Sequence, residues 1–289
     1  MGRQRRPPTT HGLAIVDKPA GVTSHDVVDM LRKRFGERQV GHSGTLDPDA
    51  TGVLLVGVGK VTKLLRFLTA LGKTYTAEVV LGVETSTLDA AGEVTATYDM
   101  RGVGVDEARL VVAERLTGDI LQVPPMVSAV KVGGKRLHEL AREGIEIERE
   151  PRPVTVHRFD VAAGPEPGVL SIEVHCSSGT YVRTLAADLG QLLGGGAHLR
   201  NLRRTAVGSF TADESLPPHE CVLIPAAAAM RDYETVQVDE ATARIIATGR
   251  ILPQPPGAGP WAITDPDGSL IAIYEPHGEG WSKPAVVLA

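Results

Sequence analysis

Cysteine is almost missing from this chain of 289 residues: Cys176 and Cys221 are the two present, with no CxxC pair and no Cys/His spacing that suits zinc. That excludes a zinc-finger architecture and fits a reducing compartment, with both thiols expected to be inert. No apolar run approaches the ~18 residues a membrane span requires. The opening MGRQRRPPTT lacks the apolar stretch of a signal peptide, so residues 1–11 read as a basic, flexible tail of a cytoplasmic protein. A basic excess is absent too: 30 Lys and Arg stand against 35 Asp and Glu, for a net charge of −5. Generic nucleic-acid binders are usually basic overall, so such a role here has to rest on local placement. The placement is uneven. LRNLRR (199–204) and KVGGKR (131–136) are basic, while EGIEIERE (143–150) is acidic.

What the chain does have is a 42% hydrophobic content, enough for one large domain with a buried core and a small second one. GLAIVD (12–17) reads as a strand. Ser24 is placed to cap a helix in which Val27, Val28, Leu31 and Phe35 recur at helical spacing, ended by Gly36. KVTKLLRFLTALG reads as a second helix. KTYTAEVVLGV alternates with period two, putting Tyr75, Ala77, Val79, Leu81 and Val83 on one face. VDEARLVVAERLTG is an amphipathic helix with acids in its first turn. The segment 122–153 is irregular, with a VGGK hairpin signal and one short helix, LHELAREG, and reads as a mobile functional insertion. Two strands follow, then a helix from about Tyr181 to Leu193. Beyond about residue 231 short β-type runs alternate with Gly/Pro turns, which marks a small β domain.

GHSGTLDPDATG (41–52) carries the chemistry-bearing side chains at highest density. An arbitrary Asp-Pro-Asp is usually a turn and nothing more, and DPDG at 265–268, between two alternating strands, needs no other reading. A calcium loop starting at Asp47 fails at its twelfth position, which is Val58 where a bidentate glutamate belongs. A phosphate loop at GVGKVTK fails because Leu54 stands at the required glycine and Val61 at the required hydroxyl. What remains is a carboxylate among glycines and hydrogen-bonding side chains, able to act as a nucleophile if a cation keeps it ionised. Arg183, in SSGTYVRTL, is a source of that cation.

Four stretches, DKPAGVTSHDVV, GHSGTLDPDATGVLLVGVGKVTKL, KTYTAEVVLG and SSGTYVRTLAADLG, occur in the order found in the bacterial TruB family of tRNA pseudouridine synthases, and the resemblance spans roughly residues 12 to 210. It implies an α+β pseudouridine synthase fold over 12–230: a mixed, mostly antiparallel central sheet flanked by helices. For 231–289 it implies a barrel-like PUA RNA-binding domain. The implied reaction converts uridine 55 of the tRNA T-loop to pseudouridine after base flipping. No cofactor, metal or obligate protein partner is expected, and the chain would act as a monomer on the T-arm.

By the same resemblance Asp47 is the catalytic aspartate, Arg183 the arginine that pairs with it, and Tyr75 the tyrosine that stacks on the target base, its hydroxyl a candidate proton acceptor. Tyr181 and Leu202 match further walls of the uracil pocket. His42 matches the histidine that fills the space left by the flipped base, and Asp89 an acid that holds it, although Ser86 stands where an aspartate is frequent. Lys18, in DKP, is placed with the substrate-binding residues. Lys131, Lys135, Arg136, Arg200, Arg203 and Arg204 are the candidates for the RNA backbone. Two other readings stay open at this point. One is an RNA-binding protein that keeps the fold without the chemistry. The other is a metal-dependent nuclease using Asp47 and Asp49.

Overall fold

Period-two burial runs through the Lys73–Leu81 strand: Ala77, Val79 and Leu81 are buried, with Tyr75 half-buried on the same face. Val83 does not continue that face, because Gly82 turns the chain with φ at 83°. It opens a separate hairpin, Val83–Thr85 against Val94–Thr97. The computed structural model describes residues 7–126, 131–132, 135–136, 145 and 147–288. Much of the 122–153 insertion, including the helix expected at LHELAREG, lies outside those residues. Its hairpin signal does fall among them: Lys131 pairs with Arg136 and Val132 with Lys135.

The chain divides into two compact units. One comprises Asp49–Thr51 and Leu71–Thr205. Its strands lie in the order Ala197–Val207, Lys73–Leu81, Val169–Cys176, Arg152–Ala163 and Gly118–Gln122. The Lys73–Leu81, Arg152–Ala163 and Gly118–Gln122 neighbours run antiparallel where they pair with their partners. The helices Val105–Arg115 and Val182–Leu192 contribute Ala108, Val112, Val182, Leu185 and Leu189 to one core with Val79, Val156, Ile172 and Val174 from the strands. Burying a side chain of that size stabilises by about 1.5–3 kcal/mol, so this core fixes the sheet on which the candidate residues stand.

The other unit comprises Met1–Pro48, Gly52–Ala70 and Ala206–Ala289. Gly12–Lys18 runs antiparallel to Thr51–Val58, from Gly12 opposite Val58 to Lys18 opposite Gly52. Val40–His42 pairs with the same strand, setting His42 opposite Val56. The helix Ser24–Phe35 buries Val27, Val28 and Leu31 against Val16, Leu54 and Val56. KVTKLLRFLTALG is not one helix: Gly59–Leu64 is a 3₁₀ turn, followed by the short α-helix Leu65–Ala70.

The C-terminal residues of this unit form a curled sheet in the order Glu234–Gln237, Trp261–Thr264, Leu270–Pro276, Trp281–Val287, Leu252–Pro253. It closes over Trp261, Ile263, Ala272 and Tyr274, with Ile246 of the Glu240–Ala247 helix. The same sheet is tied to the 59–70 segment. Tyr233 Oη donates to the Phe67 carbonyl at 2.8 Å, Arg66 pairs with Glu275 at 2.9 Å, and Lys60 Nζ donates to the Leu288 carbonyl at 2.8 Å.

Candidate active site

The GHSGTLDPDATG loop leaves the Val40–His42 strand with His42 half-buried, and Ser43 N–H donates to the Leu55 carbonyl at 2.9 Å. Gly44 then takes φ 114°, a left-handed backbone that disfavours a side chain. Leu46 is buried, Asp47 half-buried, and Pro48 and Asp49 reach the surface side of the loop. The carboxylate at 47 thus sits at an edge between core and solvent, while its neighbour at 49 is exposed. The second Asp-Pro-Asp behaves differently. Asp265 Oδ1 accepts from the N–H groups of Asp267 and Ser269, and the Gly268 N–H donates to the Asp265 carbonyl. That is an Asx-type turn between Trp261–Thr264 and Leu270–Pro276, and it is fully accounted for by turn chemistry.

Two residues of DKPAGVTSHDVV hold the loop in ways the sequence alone did not reveal. The helix cap is Thr23, not Ser24. Thr23 Oγ1 accepts from the Asp26 N–H at 3.0 Å, and Asp26 Oδ2 accepts from the Thr23 N–H at 2.8 Å, a reciprocal capping box. Ser24, one residue further in, turns its hydroxyl to Leu46 instead. Lys18, expected among the substrate-binding residues, has no exposed surface. Its ammonium donates to the carbonyls of Pro19, Val22 and Pro48 at 2.9, 2.7 and 2.9 Å. A buried ammonium has to be surrounded by acceptors, and backbone carbonyls supply them here. In this structure Lys18 is therefore an internal strut under the loop.

In the other unit, Arg183 is nearly buried in the first turn of the Val182–Leu192 helix. Its Nη1 donates to the Thr87 carbonyl at 3.0 Å and to Asp89 Oδ2 at 3.2 Å. The other carboxylate oxygen of Asp89 accepts from Thr87 Oγ1 at 2.5 Å and from the Ala91 N–H at 3.1 Å. Leu88 takes a left-handed φ of 63° to make this tight loop, which docks on the Ala197–Val207 strand through Ala90 N–H to the Leu199 carbonyl. A bulky residue in that region is strained, and the strain is offset by the bonds on either side of it. Ser86, the departure from the common family pattern, accepts from the Glu93 N–H and closes the adjoining hairpin.

Tyr75 and Leu202 both pack, half-buried, against the core of this unit. Tyr181 immediately precedes the Arg183 helix, and its backbone is clamped by Gln122, a buried residue the sequence reading did not single out. Gln122 Oε1 accepts from the Tyr181 N–H at 2.7 Å, and Gln122 Nε2 donates to the Tyr181 carbonyl at 3.0 Å. Reciprocal contacts of this kind link distant stretches of chain, so no local pattern announces them.

The six basic candidates for the RNA backbone divide. Arg204 is buried at 1% exposure and cannot present its guanidinium to a phosphate. Arg200 is bound by two carboxylates, Glu78 at 2.6 Å and Glu166 at 2.5 Å, which neutralise its charge. In this structure both act as structural cations. Arg203 stays half-buried with Nη1 3.4 Å from Thr51 Oγ1, and Lys131, Lys135 and Arg136 lie on the short hairpin. Lys73, two residues before Tyr75, is buried, and desolvation together with the nearby charge of Arg204 pulls its pKa down to about 8. Cys176 and Cys221 are buried with their thiols pushed up to about 11 by burial, which matches the expectation of inert thiols. Among the described residues no helix is long and apolar enough to cross a membrane.

Comparison with known proteins places the sequence and the fold in a family. The family described as TruB family pseudouridylate synthase (N terminal domain) matches residues 32–182. The tRNA pseudouridylate synthase B C-terminal domain matches 183–230, and tRNA Pseudouridine synthase II, C terminal, matches 233–289. The tRNA pseudouridine synthase B of Rhodococcus jostii is 50% identical over 287 residues, covering 96% of this chain and 93% of that protein. That of Mycobacterium tuberculosis H37Rv is 42% identical over 288 residues, covering 96% of each. Among solved structures, a chain of a Cbf5–Nop10–Gar1 complex superposes with a TM-score of 0.70 at 26% identity, covering 91% of this chain and 78% of that one. Four motifs in register, an α+β sheet fold and relatives alike over nearly their whole length lead to one conclusion: the chain belongs to the TruB family of pseudouridylate synthases.

Proposed function

We propose that this chain is a tRNA pseudouridine synthase that isomerises uridine 55 of the T-loop, working in the cytoplasm as a monomer without a cofactor. The reaction breaks the bond between N1 of uracil and C1′ of the ribose and joins C5 to the same sugar carbon. C5 gives up its proton, N1 gains one, and no atom is lost or added overall. Such chemistry needs a carboxylate fixed beside the nucleoside, a surface to stack the detached base and an acceptor for the C5 proton. Asp47 is the carboxylate in this reading, Tyr75 stacks on the base and offers its hydroxyl, and Arg183 supplies the guanidinium. Tyr181 and Leu202 wall the uracil and His42 fills the vacated stack. Eversion of the base costs a few kcal/mol, which contacts to the T-arm have to offset. Lys131, Lys135, Arg136 and Arg203 are the cations for that task, and residues 231–289 serve as an additional RNA-binding module.

What carries the proposal is the state of Asp47: half-buried, with the residues before and after it each bound by a buried side chain, where the second Asp-Pro-Asp is an ordinary turn. The test is tritium release from C5-labelled tRNA, with mapping of the modified position. Asp47→Asn is expected to bind tRNA with near wild-type affinity and to release no tritium. Turnover by that variant would refute the assignment, and a wild-type protein that binds tRNA without releasing tritium would favour an RNA-binding role instead.

A further inference from the structure

We infer that Ser24 is a positioning residue for Asp47, acting through the backbone of Leu46. Ser24 is buried at 2% exposure, and its hydroxyl makes two bonds to one residue: it donates to the Leu46 carbonyl at 3.0 Å and accepts from the Leu46 N–H at 2.8 Å. Leu46 lies in a loop, where neither of its peptide groups has a ladder or helix to enter. Left without Ser24, both would be polar groups in a buried setting. On the far side of Asp47 the Pro48 carbonyl is held by Lys18 Nζ at 2.9 Å and the Gly21 N–H at 3.0 Å. The aspartate backbone is thus pinned on both flanks, and its carboxylate keeps little freedom beyond two side-chain torsions.

Ser24 suits this task because its own helix does not need it. Thr23 performs the capping, so the Ser24 hydroxyl is available to another segment. The helix beneath it is anchored by Val27, Val28 and Leu31, which makes Ser24 a rigid post and not a second loop residue. A reacting group displaced by about 1 Å loses on the order of a hundredfold in rate, so releasing Leu46 is expected to act on the chemical step more than on RNA binding.

The inference rests on Asp47 being the carboxylate of the reaction, so Asp47→Asn is assayed beside the Ser24 variants. Steady-state rates on a T-arm stem-loop and thermal melts are measured for Ser24→Ala, Ser24→Cys and Ser24→Thr. Ser24→Ala is expected to lower kcat by roughly 10- to 100-fold, with KM within about twofold. Ser24→Thr, which retains the hydroxyl, restores most of the rate. Should Ser24→Ala fail to fold, Ser24→Cys decides the matter, because a thiol fills the space but is a weak donor and acceptor. A kcat within about threefold of wild type in the folded variant, or a loss carried by KM alone, overturns the positioning role. An inactive Asp47→Asn beside a fully active Ser24→Ala defeats this inference and spares the reading of Asp47. An active Asp47→Asn defeats both.

Discussion

Replacing Lys18 by methionine separates an internal strut from a substrate contact. The side chain has no exposed surface and its ammonium donates to the carbonyls of Pro19, Val22 and Pro48. Methionine fills the same space without a charge or a donor. The Pro48 carbonyl keeps the Gly21 N–H, whereas the carbonyls of Pro19 and Val22 lose the ammonium. Each partly buried acceptor left without its donor costs about 1–2 kcal/mol, at the lower end of the usual range. Relief from burying an ammonium opposes that loss. A net destabilisation of about 1–3 kcal/mol follows, which for units of this size lowers the melting temperature by about 2–12 °C. The rate is expected to suffer more, because Pro48 follows Asp47, the carboxylate proposed for the reaction: kcat falls by about 10- to 100-fold while KM for tRNA stays near wild type. Thermal melts and steady-state kinetics on the same preparation check both. A variant that melts with wild type and shows raised KM at unchanged kcat would refute the strut and return Lys18 to the RNA surface.

The Gln122 clamp gives a test by a single atom exchange. Gln122→Glu keeps the acceptor for the Tyr181 N–H and replaces the donor to the Tyr181 carbonyl with an oxygen. A buried carboxyl has a raised pKa, and its protonated form alone can donate to that carbonyl. The variant is therefore expected to be least stable above neutrality and to approach wild type as the pH falls toward 5, which melts across pH 5–8 will read. A pH-independent defect would argue against the clamp. Lys73 gives a titration of opposite character. The native state sheds this proton near pH 8, while the unfolded chain holds it to about 10.5. Between those values the unfolded state binds more protons, so stability rises with pH, by about 1–2 kcal/mol between pH 8 and 9.5. Urea midpoints at pH 7.5 and 9.5 should diverge for wild type and not for Lys73→Met, and equal divergence in the two proteins would exclude Lys73 as the source.

Local patterns told the truth where the cause is local. Alternation in Lys73–Leu81 placed Tyr75 on the core face, helical spacing placed Val27, Val28 and Leu31, and turn chemistry accounted for Asp265. The helix cap was misplaced by one residue because Thr23 and Ser24 are both good capping residues, and the choice depends on Asp26, three positions after Thr23. The arginines of LRNLRR meet different surroundings for a specific reason. Asn201 adopts a left-handed φ of 54°, which breaks the alternation, so Arg200 meets Glu78 and Glu166 while Arg204 turns inward. Asp89 was expected beside His42, and its bond to Arg183, which spans 94 positions of chain, carries no local pattern. Ser24 and Gln122 were hidden for the same reason, since their partners are backbone groups 22 and 59 positions away, and Lys18 was hidden because a peptide carbonyl, near or far, carries no residue-specific mark.

The unit made of Met1–Pro48, Gly52–Ala70 and Ala206–Ala289 has its pieces far apart along the sequence. On the ribosome, Phe67 emerges long before Tyr233, and Lys60 long before Leu288, yet these pairs bond in the finished unit. At about 5–20 residues per second, the amino-terminal strands wait some tens of seconds for their last partners. The intervening stretch, Leu71–Thr205, groups with Asp49–Thr51 into a compact unit of its own, all of which has been synthesised before Tyr233 appears. Truncating the carboxyl-terminal sheet would therefore remove part of a shared wall, leaving Arg66, Phe67 and Lys60 without the residues they bind.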